Sequence, residues 1–208
     1  MIPPRRARIG HGVTSGTFSL DGETHDVDNN VWVIGDDRDC VVLDAPHSVE
    51  GIMAVVGDRT VKAILCTHAH DDHVRVAPQL RARTQAPIFL HPDDRPVWEL
   101  THPAELWDVD LGDGQVIEIA GLSLRTMHTP GHAPGAVCFY AEELDAVFTG
   151  DTLFNGGPGA TGRSFSDYDT ILASIKGTLF GLPDETVVHT GHGEDTMIGA
   201  ERSRLADG

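Results

Sequence analysis

One short stretch constrains this chain more than any other: His68-Ala69-His70-Asp71-Asp72-His73, placed straight after the apolar, β-branched run Val61–Cys66. The run reads as a buried strand, and α/β folds place functional groups at such strand ends. His68 and His70 stand two residues apart, so an extended backbone projects both to one side. Asp72 and His73 follow where the chain turns into a helix. Three imidazoles and carboxylates packed this closely do not enter an apolar core unpaired, and a borderline-soft cation is the natural partner of nitrogen-rich ligands. A solvated loop that happens to be rich in histidine is the competing explanation.

Three further segments close apolar runs with a metal-competent residue beside glycine: Thr129-Pro130-Gly131-His132, Thr149-Gly150-Asp151-Thr152 and Thr190-Gly191-His192-Gly193. Each alone is more often a plain turn. Four such sites in order, each after an expected strand, point to loops that converge on one centre.

The rest of the chain reads as alternating elements. Strands are expected at Val13–Leu20, Asn30–Ile34, Cys40–Leu43, Val61–Cys66 and Pro87–Leu90. More follow at Gln115–Ile119, Leu122–Met127, Ala136–Tyr140, Ala146–Phe148 and Thr186–His189. Helices are expected at Ser48–Val56, Asp72–Arg83, Asp93–Leu100, from a Ser166-x-x-Asp169 capping box to about Leu179, and at Thr196–Leu205. Asn155–Gly162 reads as a glycine-rich loop. Helices at both ends with consecutive strands between them favour an α/β protein in which helices pack outside two sheets. With no linker rich in Pro, Ser or Gly and no repeat, residues 1–208 are expected to form a single domain.

Charge narrows the function. The chain carries 15 basic and 32 acidic residues, a formal charge of −17. A general nucleic-acid binder needs a basic face, and an anionic membrane surface repels such a chain, so neither is an expected partner. No apolar run nears the roughly 20 residues of a bilayer span. The basic start Met1–Arg8 has no apolar stretch behind it, so it is expected to be a frayed or edge-strand start rather than a secretory signal. Cys40, Cys66 and Cys138 are far apart, each in an apolar run, and read as core thiols of a reduced, cytoplasmic protein.

With Asp44 after its strand, the His68–His73 cluster, His132, Asp151 and His192, the sequence resembles the metallo-β-lactamase superfamily over residues 40 to 195. The resemblance implies an αββα sandwich of two mixed β-sheets with helices on the outer faces and metals in a cleft at the sheet edges. It implies two divalent ions, zinc foremost, with iron or manganese as alternatives. Metal 1 then falls to His68, His70 and His132, and metal 2 to Asp72, His73 and His192. Asp151 bridges the two, and Asp44 orients a ligand without being one. Asp72 and Asp151 become the catalytic carboxylates around a metal-bridging hydroxide.

Within the superfamily, secreted β-lactamases, which usually lack a bridge equivalent to Asp151, match less well than the glyoxalase II-like branch. Gly150–Phe154 and Gly162-Arg163-Ser164-Phe165 carry that likeness. It implies that Arg163 holds a carboxylate of a thiol carrier, as a guanidinium fork can. Full-length glyoxalase II adds a helical domain for glutathione. This sequence ends about 15 residues after His192, so a short form using a smaller or different low-molecular-weight thiol is expected. The expected activity is hydrolysis of a 2-hydroxyacyl thioester by a monomer or homodimer. The rivals are a persulfide dioxygenase with one iron on His68, His132 and Asp151, a lactone, ester or phosphodiester hydrolase, and a non-catalytic relative. His47 stands close enough to Asp44 to reach the cleft mouth and touch substrate. His11, His25, His91, His102, His128 and His189 are expected to be solvated, loop or satisfied core residues.

Overall fold

A computed structural model describes residues 7–206. The basic N-terminal start lies mostly outside the described residues, and its last residue, Arg8, opens the first strand and ion-pairs with Asp37.

Two six-stranded sheets carry the fold. The first runs β1 (Arg8–Leu20), β2 (Glu23–Gly35), β3 (Asp39–Leu43), β4 (Thr60–Leu65), β5 (Ile88–Leu90) and β6 (Val109–Asp110) in spatial order. Its first three strands are antiparallel and the remainder parallel. The second sheet, in chain order, consists of β7 (Val116–Ile119), β8 (Leu122–His128), β9 (Val137–Ala141), β10 (Ala146–Gly150), β13 (Val187–Thr190) and β14 (Thr196–Met197). Only its β10–β13 pair is parallel. A small ribbon of β11 (Leu153–Phe154) and β12 (Gly157–Pro158) sits inside the expected glycine-rich loop.

Side-chain alternation explains why two sheets stack and helices cover them. Along β2, Trp32 and Ile34 face the other sheet, while Val31 and Val33 face α1 (Val49–Val56), α3 (Ala77–Thr84) and α4 (Arg95–Thr101). Along β9, Val137 and Phe139 enter the inter-sheet core. Cys138 and Tyr140 turn outward to meet α5 (Tyr168–Gly177) and α6 (Ile198–Ala206). Three apolar layers thus separate four layers of secondary structure, the expected αββα sandwich of mixed sheets. Cys40, Cys66 and Cys138 are free and buried, as expected of core thiols. Among the described residues, no helix is long and apolar enough to cross a membrane.

Four local expectations need correction. The single helix expected over Asp72–Arg83 is broken into α2 (Asp71–Val74) and α3. Pro78 has no N–H for the Val74 carbonyl and crowds the preceding turn; the His102 ring takes that carbonyl at 2.9 Å instead. The helix expected over Asp93–Leu100 is a 3₁₀ turn at Pro92–Asp94 followed by α4. The cap of α5 is Asp167, which accepts from Thr170 N at 2.8 Å, and not Ser166. Ser166 instead ties its own loop, accepting from Gly162 N and Arg163 N. The first two strands are each 13 residues long, because Asp21 and Gly22, both at positive φ, form a two-residue hairpin turn that lets the ribbon pair throughout.

Candidate metal centre

Every functional loop leaves the same edge of the sandwich. Asp44 follows β3, His68 and His70 follow β4, His132 follows β8, Asp151 follows β10 and His192 follows β13. The seven expected metal-ligating residues come together there, in two groups that share Asp151.

In the first group His70 Nδ1 lies 3.1 Å from His68 Nε2 and 3.0 Å from His132 Nε2. In the second, His73 Nε2 and His192 Nε2 are 3.2 Å apart, and Asp72 Oδ2 stands 3.5 and 3.3 Å from them. Between the groups, Asp151 Oδ1 is 3.2 Å from His73 Nε2, and Asp151 Oδ2 is 3.6 Å from His132 Nε2 and 3.4 Å from His192 Nε2.

Second partners decide which ring nitrogen is bare. His73 Nδ1 donates to Asp44 Oδ2 at 2.8 Å. His68 Nδ1 donates to Thr67 Oγ1 at 3.1 Å, and that hydroxyl donates onward to Asp44 Oδ2 at 2.9 Å. His132 Nδ1 donates to the Ala160 carbonyl at 2.8 Å, and His192 Nδ1 to the Asp28 carbonyl at 2.7 Å. Four rings therefore turn Nε2 inward, and His70 turns Nδ1 inward, its buried Nε2 having no partner. Ring nitrogens and carboxylate oxygens about 3 Å apart need a cation between them, either a metal ion or protons on the rings. The buried Asp151 Oδ1 has no hydrogen-bond partner. This donor set fits two metal ions, and the two groups match the chemistry of a dinuclear site.

The electrostatics agree. Burial holds His68 well below the ordinary histidine range and His70 at about 3, so both stay neutral ligands. Burial works to raise the Asp72 carboxyl, but the His73 ring and hydrogen bonds from His192 and Asn29 outweigh it and hold it at about 2. Burial likewise opposes charge on His192, yet Asp151 and its hydrogen bonds push that ring up to about 10. The carboxylates demand positive charge, and the rings supply it where no other cation does.

The backbone is shaped for this convergence. Asp44 sits in the left-handed region at φ 61°, a conformation held at functional sites by its surroundings. Gly191 has no room for a side chain: a Cβ there would lie 2.3 Å from Asp151 Oδ1.

Three contributors lie outside the sequence motifs. Asn29, buried on β2, directs its amide nitrogen at Asp72 Oδ2 from 3.0 Å. Asp94, also buried, accepts from Ala69 N at 2.7 Å and Gly135 N at 2.5 Å, joining the His68–His70 loop to the loop after His132. Asp28 contributes only its carbonyl. The Asp-Asn-Asn run before an apolar strand was the one available signal for Asn29, and nothing local marks Asp94.

A cavity of about 420 Å³ opens beside the cluster, lined by Asp72, Asp151, His132 and His192 together with Phe18, Val27 and Ala160. Arg163 also lines it, 3.1 Å from His25 Nε2, 3.5 Å from Glu23 Oε2 and stacked over the Phe18 ring at 5.4 Å. His25 lines the cavity too and is exposed, as expected of a solvated residue. His47 does not line it; its Nε2 meets Asn29 Oδ1 at 2.7 Å, so it touches the site through another side chain. His91 stacks on His128, and His189 packs against Trp32 and Phe148 while bonding Asp195, as satisfied histidines do. His11 stacks on Trp32 at the surface.

The comparisons with known proteins agree with the geometry. Hydroxyacylglutathione hydrolase GloC of Haemophilus influenzae is 32% identical over 83% of this chain and 87% of its own length. A solved structure of the BLEG-1 B3 metallo-beta-lactamase superposes with a TM-score of 0.78 at 29% identity, covering 91% of this chain and 97% of that one. The structure of TTHA1623 in a di-iron-bound form superposes with a TM-score of 0.75 at 32% identity, covering 89% and 95%. Residues 25–192 match the family as a whole, and the chain belongs to the metallo-beta-lactamase superfamily.

Proposed function

We propose that this protein is a metal-dependent thioesterase that hydrolyses a 2-hydroxyacyl ester of a low-molecular-weight thiol. His68, His70 and His132 would hold one divalent ion, Asp72, His73 and His192 a second, with Asp151 shared. Zinc is the first expectation, with iron and manganese as alternatives. When bound, such ions supply Lewis acidity and bring the pKa of coordinated water toward about 7.

The observation that carries this reading is the pairing of ionised carboxylates with a single arginine in the same cavity, Arg163, which also ion-pairs with Glu23 at 3.5 Å. Asp72 is held at about 2 and Asp151 well below its usual range, where burial is outweighed by His192 and His73. Neither can donate a proton at neutral pH, though either can accept one or orient water. A leaving amine needs a donor; a thiol of pKa about 8.5 leaves as the thiolate and needs none. Phe18, Val27 and Ala160 receive the apolar part of a substrate, and Arg163 takes a carboxylate at the far end. The name of the Haemophilus relative is consistent with this substrate class. The buried free thiols fit a reducing compartment, so we place the enzyme in the cytoplasm.

Metal analysis of the purified protein, followed by parallel assays with a 2-hydroxyacyl thioester, a β-lactam, and a persulfide with oxygen uptake, tests the proposal. Two metals with thioester turnover dominant is the expected result. One iron with persulfide-dependent oxygen consumption, or turnover of the lactam alone, would overturn it.

A further inference from the structure

The side chain of Asn29 does more than fill space beside the second group of ligands. It is 1% exposed, and its amide nitrogen lies 3.0 Å from Asp72 Oδ2, 3.3 Å from His73 Nε2 and 3.4 Å from His192 Nε2. Those three atoms are themselves 3.2 to 3.5 Å apart. Four atoms with these spacings mark a nearly regular tetrahedron. Its centre lies about 2.0 Å from each corner, the bond length of a divalent ion to nitrogen and oxygen ligands. Three corners are metal-competent donors. The fourth is an amide tip.

An amide nitrogen has no lone pair free for a cation, but the oxygen on the same carbon does. A half-turn of the carboxamide exchanges the two with almost no change in shape. The neighbour on the other side permits the exchange. His47 Nε2 lies 2.7 Å from Asn29 Oδ1, and a neutral imidazole can donate to that oxygen or, as the other tautomer, accept from the nitrogen that replaces it. His47 itself is pinned, because Gly16 packs so close that a Cβ there would lie 2.2 Å from His47 Nδ1.

We propose that Asn29 is an additional oxygen ligand of the second metal site, turned onto the cation by rotation of its carboxamide and held in that orientation by His47. This rests on the dinuclear reading of the site and is independent of the substrate. Without a cation the amide N–H donates to Asp72 Oδ2. With one, the carbonyl oxygen would add a donor to Asp72, His73, His192 and the shared Asp151. A carbonyl donor also hardens the site, favouring manganese or iron over zinc relative to a site without it.

The test is zinc and manganese binding to the full-length protein, measured by competition with a chromophoric chelator. Asn29→Leu, with the same heavy-atom branching but without a donor, is expected to weaken the second site by about 10- to 100-fold and leave the first unchanged. Asn29→Asp is expected to bind the second ion at least as tightly as the parent. Two variants with parental affinity at the second site would overturn the proposal. Should a variant fail to fold, the wild-type side-chain amide resonances of Asn29 serve instead. They are expected to shift when the second zinc equivalent binds and not with the first; resonances unmoved by both would overturn it. A parent that takes up only one metal would overturn this proposal and the dinuclear reading together. Loss of thioester turnover alone bears only on the proposed substrate.

Discussion

Asp44 Oδ2 accepts from His73 Nδ1 at 2.8 Å, with both side chains buried. The same carboxylate accepts from Thr67 N at 2.7 Å and, through its other contact, from the Thr67 hydroxyl that orients His68. One acid residue thus sets the tautomer of a ring in each ligand group. Asp44→Asn replaces an acceptor by a donor toward one of these partners. We expect metal affinity to fall by about 10- to 100-fold, read by chelator competition. Parental affinity in the variant would show that the rings orient without it.

Metal removal should destabilise the fold, since the ions bind the assembled cluster and not the unfolded chain. An ion at 100 times its dissociation constant contributes about 2.7 kcal/mol. For a chain of this size that corresponds to roughly 5–10 °C in Tm. Calorimetry with and without chelator measures it, and His70→Ala should shrink the difference. A Tm indifferent to chelator would argue that the cluster is not a metal centre.

Gly191→Ala places a Cβ 2.3 Å from Asp151 Oδ1 and 2.9 Å from His73 Cε1. Both are held by their neighbours and cannot give way without leaving the cluster. We expect a stability loss of about 1–3 kcal/mol and loss of bound metal. A variant with full metal content and unchanged denaturation midpoint would contradict the close packing.

Asp94 should make stability depend on pH. Burial raises its carboxyl to about 7, against two backbone hydrogen bonds that lower it. The folded chain therefore binds this proton more tightly than the unfolded chain does. Between about pH 4 and 7 the unfolded state loses the proton first, so this group's contribution to stability falls as pH rises. Asp94→Asn abolishes that titration. The stability of the parent relative to the variant should decline across this window in urea melts, and a difference constant with pH would refute the assignment.

Arg163→Met removes the guanidinium that lines the cavity and pairs with Glu23. Charge-assisted hydrogen bonds contribute about 1.5–3 kcal/mol. For a thioester bearing a carboxylate we expect KM to rise by about 10- to 100-fold with kcat little changed. A neutral thioester should be unaffected. Equal effects on both substrates would remove Arg163 from carboxylate capture.

Local pattern alone determined a large part of this protein. Alternation along Val31–Ile34 and Val137–Tyr140 determines which side chains enter the inter-sheet core, because strand geometry turns successive residues to opposite faces. The ligand residues were legible because each sits in a short motif at a strand end. Helix breaks were less so: the gap between α2 and α3 depends on a proline whose orphaned carbonyl is taken by a residue 28 positions away. Only the tertiary structure brought Asn29 to Asp72, 43 residues on, and Asp94 to Ala69 and Gly135. It also moved His47 off the cavity and onto Asn29. Such contacts leave no trace in spacing or composition, since they exist only after the sheets have stacked and the loops share one edge.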